Sequence, residues 1–207
     1  GTCHYLSVTG DDRHADFVSE RLADYKVNVD LIKDQSRPTT SKIRYMVENQ
    51  KLFRVSRLKE HRLPRDIENL LINKIQELAP DLDAIIVSDF VYGVITPRIL
   101  EALEHVSKRY NISLYGDLQC SSQVGNISKF KDFNLLCPTE REARIALSNQ
   151  DDGVEYVANL LMSETRCPNL VVKLGAGGFI AYSRDINNNF VYRQHFPALT
   201  INPVDVA

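Results

Sequence analysis

Several short stretches of the chain combine side chains that chemistry could use. Asp89 ends the apolar run "AIIVSD", and Asp117 ends "ISLYGD". Thr139 and Glu142 stand three apart in "CPTEREAR", and Lys173 ends "NLVVK", followed by the glycines of "LGAGG" at 175, 177 and 178. A glycine-rich turn lets backbone amides approach a polyphosphate, and an adjacent lysine adds positive charge. A carboxylate at a helix N-terminus can orient a hydrated Mg²⁺. In open α/β sheets ligands collect beyond the carboxyl ends of the strands, where all these residues fall. Together they read as a triphosphate site. Each also has a plainer reading alone. T-x-x-E is a capping box, so Glu142 can be a helix cap only. Asp89 and Asp117 can bond loop amides, and the glycines can form a tight connection into a hairpin. There is no G-x-x-x-x-G-K-[ST] loop and no G-x-G-x-x-G.

The elements that must position these residues follow from periodicity. "YLSVTG" reads as a strand, and in the helix after it Phe17, Val18, Leu22 and Tyr25 share one face. "VNVDLI" is extended. "SKIRYMV" and "KLFRVSRL", joined by "ENQ", alternate polar and apolar residues, which predicts a hairpin over 39–58 with one wet face. Pro64 opens a helix carrying Ile67, Leu70, Leu71, Ile75 and Leu78, and Pro80 closes it. From there apolar strands alternate with helices: Thr96-Pro97 starts one helix, Pro138 precedes another, and a third spans about 153–163. "FIAYSR" and "FVYRQHF" form a last hairpin. This alternation predicts an α/β fold with a mainly parallel sheet covered on both faces.

Composition removes several classes. A formal charge of −2 over 207 residues lacks the basic stripe of a nucleic-acid binder. No apolar run reaches membrane-spanning length, and the first residues do not read as a signal peptide. Cys3, Cys120, Cys137 and Cys167 are scattered without C-x-x-C spacing, so reduced, buried thiols in a cytoplasmic protein are expected. "GTCHYL" opens without a preceding element and "TINPVDVA" stops without a turn, so the chain reads as a piece of something longer.

The order of these motifs resembles that of the ribokinase-like (PfkB) carbohydrate kinases, and among them the heptose 7-phosphate kinase domain of ADP-heptose synthases. "VTGDD" (8–12) is similar to the family's early G-D-D segment, and "RPTTSKIRYMVENQKLFRV" (37–55) to the heptose-kinase flap. "VSDFVYGVITP" (87–97) resembles S-D-Y-G-K-G-V-L-T-P, "CPTEREAR" resembles P-N-x-x-E-A-x, and "VVKLGAGG" resembles the L-G-x-x-G of the nucleotide site. The likeness covers nearly the whole chain. It implies a three-layer sandwich over 1–207 with a small hairpin lid, and transfer of phosphate from Mg·ATP to a sugar or sugar-phosphate hydroxyl. Thr139, Glu142, Lys173, Gly175 and Gly178 would hold the nucleotide, with Glu142 serving the metal. Lys42, Arg44, Asn49 and Asp89 would meet the sugar, although Arg37, Lys42, Arg44 and Arg54 can each be ordinary solvated hairpin charges. The family's G-A-G-D, with its catalytic Asp, would follow Ala207. Small molecules are the expected partners, with no nucleic acid or membrane, and a homodimer is compatible with the family.

The chain departs from the family at three places. Thr139 stands where Asn is usual, Val91 and Tyr92 replace Gly-Lys, and "DLQCSSQ" (117–123) replaces D-P-K. These departures leave open a second reading, a non-catalytic sugar- or nucleotide-binding regulatory protein on the same fold.

Overall fold

The computed structural model describes residues 1–48, 50–120, 124–185 and 190–199. The strand expected over 200–207 lies outside them. The chain divides into two compact units, Gly1–Leu78 with Tyr92–Ala102, and Ala79–Val91 with Leu103–Ala207.

In the first unit, β1 (His4–Thr9) pairs in parallel with β2 (Asn28–Lys33), joined through α1 (Arg13–Asp24). Asp12 starts α1 by accepting the amides of His14 and Ala15, so two orphan donors of the first turn are satisfied. The apolar face predicted for α1 is largely open: Ala15 is buried, whereas Phe17 and Tyr25 are exposed. β3 (Ser41–Val47) and β4 (Gln50–Arg57) form the antiparallel hairpin expected at 39–58, a two-stranded sheet of its own among the described residues. Alternation predicts one wet face, yet both are wet. Ile43, Tyr45, Phe53 and Val55, which share a face, are each roughly half exposed. α2 (Arg65–Leu78) follows and buries Leu71 and Ile75.

In the second unit the sheet order is β10-β9-β8-β7-β6-β5. β5 (Ala84–Asp89), β6 (Ser113–Leu118), β7 (Leu135–Leu136) and β8 (Asn169–Lys173) run parallel. β9 (Phe179–Asp185) and β10 (Phe190–Phe196) add an antiparallel hairpin at the edge. α3 (Pro97–Tyr110) starts in the first unit's residues and ends in the second's; α4 (Glu140–Leu147) and α5 (Val154–Thr165) lie between β7 and β8 in the chain. One face of this sheet, with Leu114, Gly116, Leu118, Leu136, Leu170 and Val172, is buried. The other face, with Tyr115, Asp117, Leu135 and Val171, is only half-buried. At the outer strand Ile86 is 77% exposed. The apolar runs therefore do not translate into burial on both faces, contrary to the pattern expected of a parallel sheet.

Candidate functional site

The carboxyl ends of β5 to β8 bring the sequence-derived residues onto one edge of the second unit. β7 and β8 are parallel neighbours, and an isolated bridge continues their pairing at Thr139 and Lys173. The Lys173 amide donates to the Pro138 carbonyl at 2.8 Å. The start of α4 and the glycine turn thus emerge side by side, as their spacing predicts.

α4 begins with the full capping box. Thr139 Oγ1 accepts the Glu142 amide at 3.2 Å, and Glu142 Oε2 accepts the Thr139 amide at 2.7 Å. The sequence does not reveal the second anchor: Glu142 Oε1 accepts the Cys120 amide at 2.9 Å. Both carboxylate oxygens are fixed by backbone donors, and the side chain is buried. A carboxylate offers about four acceptor positions, and donors among the described residues fill two of them.

Lys173 places its ammonium on Asp117 Oδ1 at 2.6 Å. Asp117 therefore holds a lysine, a partner that its strand-end position does not reveal. Residues Gly175–Gly177 form a single 3₁₀ turn. The Gly177 amide donates to Leu174 at 3.1 Å and the Gly178 amide to Gly175 at 3.0 Å, so these two donors close the turn itself. Gly178 has φ +85°, and a Cβ there would collide with the Phe196 carbonyl and stand 2.7 Å from the Ala198 amide. The approach of the segment after β10 is sufficient to require glycine at 178. His195 Nε2 meets the Gly177 carbonyl at 2.8 Å, and the Phe179 and Phe196 rings stack alongside at 4.8 Å.

Asp89 is 3% exposed, with Oδ1 accepting the Val91 amide at 2.8 Å and Oδ2 paired with the Lys129 ammonium. As a sugar ligand it would have to share its oxygens with these partners. Val91, where the family pattern has Gly, carries φ +63°, a strained conformation for a β-branched residue. Gly125 makes room for it: a Cβ at 125 would lie 2.6 Å from Val91 Cγ2.

The remaining sugar-side candidates belong to the first unit. Lys42 and Arg44 lie on the hairpin face opposite Ile43 and Tyr45, with Arg44 directly across from Arg54. The Lys42 ammonium sits over the Tyr92 ring at 5.0 Å. Asn49 lies outside the described residues. Arg37 is not a solvated charge. It is buried, its Nε donates to Asp34 at 2.7 Å, and its other nitrogens donate to the Tyr92 and His61 carbonyls at 3.0 and 2.8 Å. Burial opposes ionisation of Asp34, but the Ser36 hydroxyl and amide and the Arg37 guanidinium outweigh it and hold the carboxyl below its ordinary value. This pair ties the root of the hairpin to two other loops.

Among the described residues no group of three His, Cys, Asp or Glu side chains could cage a metal. Mg²⁺ does not need one, since it keeps most of its waters and uses one or two carboxylates with substrate phosphates. The spare acceptor positions of Glu142 fit that role. No helix among the described residues is long and apolar enough to cross a membrane.

Residues 1–206 match the family model described as the pfkB family carbohydrate kinases. The chain belongs to this family. Two of its relatives are bifunctional HldE proteins. That of Campylobacter fetus is 25% identical over 205 residues, 97% of this chain and 42% of the relative. That of Campylobacter jejuni subsp. doylei is 32% identical over 184 residues, 87% of this chain and 38% of the relative. The chain thus spans about two-fifths of the length of these relatives. Solved structures with the same fold include phosphofructokinase-2 from Escherichia coli (TM-score 0.74, 15% identity, 98% of this chain and 63% of that one). Ribokinase from Giardia lamblia is another (TM-score 0.71, 12% identity, 95% and 60%). The ribokinase-like fold expected from the motifs is the fold found, with the hairpin included.

Proposed function

We propose that this pfkB-family chain carries the nucleotide-binding edge of an ATP-dependent sugar or sugar-phosphate kinase of the heptose-7-phosphate type, acting in the cytoplasm. The observation that carries the reading is the placement of Glu142: a buried carboxylate, fixed by two backbone amides, beside a glycine turn and a lysine at the carboxyl edge of the sheet. Phosphoryl transfer asks a protein mainly for positioning and charge neutralisation. Glu142 would orient the waters of Mg²⁺, with Thr139 beside it toward the nucleotide, and the ion when bound would neutralise charge on the phosphates. Lys173, anchored on Asp117, would offer its remaining N–H donors to the polyphosphate near Gly175 and Gly178.

We assign the acceptor's anionic group to the cationic face of the hairpin, a lid over 39–58. Arg44 stands directly opposite Arg54, and guanidinium groups bind an oxyanion bidentately. The apolar face, with the stacked Tyr45 and Phe53 rings 4.4 Å apart, we assign to a second copy of the chain. The test is ADP release by the gene product over a panel of sugars and sugar phosphates. A heptose 7-phosphate should be preferred, and Arg44→Met should raise KM for phosphorylated acceptors about tenfold while leaving that for ATP unchanged. Equal effects on both would overturn the assignment.

The second reading, a non-catalytic regulatory binder, is favoured by the sealing of Asp89 by Lys129. It predicts saturable nucleotide or sugar binding with no acceptor-dependent ADP release.

A further inference from the structure

Between β6 and α4 lies a contact for which the sequence offers no motif. The Cys120 thiol clasps both polar backbone atoms of Gly125: its sulfur accepts the Gly125 amide at 3.2 Å and donates to the Gly125 carbonyl at 3.6 Å. Gly125 is itself wedged against Val91 Cγ2 and the Leu118 side chain, where no Cβ would fit without movement. The Cys120 amide, on the other side of the clasp, donates to Glu142 Oε1 at 2.9 Å. Val91, Gly125, Cys120 and Glu142 therefore form one continuous chain of contacts, and Cys120 within it belongs to the segment 117–123 where the chain departs from D-P-K.

We propose that Cys120 is a positioning residue for Glu142: by clasping Gly125, its thiol holds its own amide on Glu142 Oε1 and so fixes the direction in which that carboxylate presents its remaining acceptor positions. The inference rests on the reading of Glu142 as the group that orients the metal's waters. With the thiol removed, the amide is still present but its loop is released from Gly125. Oε1 can then rotate away from Cys120, and among the described residues the cap bond to Thr139 is what still fixes the carboxylate. Cysteine suits this place because one atom is donor and acceptor at the longer reach of sulfur. Serine preserves both functions over a shorter reach.

The experiment is calorimetric titration of ATP into the chain at a series of Mg²⁺ concentrations, for wild type, Cys120→Ala, Cys120→Ser and Glu142→Gln. Cys120→Ala should raise the Mg²⁺ midpoint about three- to tenfold, at or below the range typical of partners that orient a metal's ligands. Nucleotide affinity without metal should stay unchanged, and Cys120→Ser should recover most of the loss. A merely structural thiol would weaken both titrations together or neither. An unmoved midpoint in Cys120→Ala beside a raised one in Glu142→Gln overturns the inference and leaves the function standing. Absence of Mg²⁺-dependent binding in the wild type overturns the function, and with it the metal role of Cys120. A double-mutant cycle on unfolding stability separates the two failures. If Cys120 positions Glu142, Glu142→Gln should cost less in the Cys120→Ala background than in wild type, with or without ligand. Additive costs overturn the positioning contact itself.

Discussion

Replacing Glu142 by Gln tests the site without any ligand. If Glu142 were a cap alone, the amide oxygen would take over the Thr139 donor and stability would barely change. The structure places two donors on the carboxylate, Thr139 at 2.7 Å and Cys120 at 2.9 Å. Gln keeps one oxygen, so one of the two N–H groups must face an NH₂. A hydrogen bond to a charged group is worth about 1.5–3 kcal/mol, and a buried donor left unpaired costs a similar amount. The negative charge at the start of α4 adds about 0.3–1 kcal/mol. These terms overlap, and together they predict a loss of about 2–3 kcal/mol. Urea unfolding measures it: with m about 2 kcal/mol/M, the midpoint should fall by about 1 M at unchanged m. A loss under about 0.5 kcal/mol would mean that the Cys120 amide is not held by Glu142 and that the carboxylate is free to turn.

Other outcomes follow from the same contacts. Gly178→Ala should destabilise by about 3 kcal/mol or more, because φ +85° and the Phe196 carbonyl both exclude a Cβ; an unchanged thermal midpoint would contradict this. Val91→Gly should be neutral to stabilising, by up to about 1 kcal/mol, since relief of left-handed strain exceeds the entropy of glycine. It should also rescue part of the loss in Gly125→Ala, and equal losses in both backgrounds would refute the Val91–Gly125 contact. Asp34 has its carboxyl held below the ordinary 3.8, so its contribution is complete above that value and is lost as pH falls below it. Asp34→Asn should lower stability at neutral pH and flatten the acid limb of a midpoint-against-pH series; a parallel displacement at every pH would refute the role. Tyr45→Lys should shift the sedimentation of a dimer to that of a monomer, and an unchanged assembly would place any dimer contact elsewhere.

Local chemistry was legible in the chain. The hairpin, the Thr139–Glu142 capping box and the helix start at Thr96 all depend on residues within a few positions of one another. The neighbouring emergence of "CPTE" and "KLGAGG" followed from the alternation of strands and helices. What remained hidden depends on contacts without a period. Lys129 reaches Asp89 across forty residues, Cys120 reaches Glu142 across twenty-two, and Arg37 reaches Tyr92 across fifty-five. Gly178 answers in part to the Phe196 carbonyl, which no reading of "GAGG" could supply. Apolar runs also overstated burial at Ile86 and Phe17, because an apolar side chain marks where burial is favourable without showing what covers it.

The central claim is that Mg·ATP lies over the edge formed by β7 and β8. Backbone amide shifts followed by NMR during titration with Mg·ATP test it most directly. The account predicts the largest changes at Thr139, Glu142, Lys173, Gly175 and Ala176, reduced when Mg²⁺ is withheld. Changes confined to other elements, or none at saturating nucleotide, would contradict it.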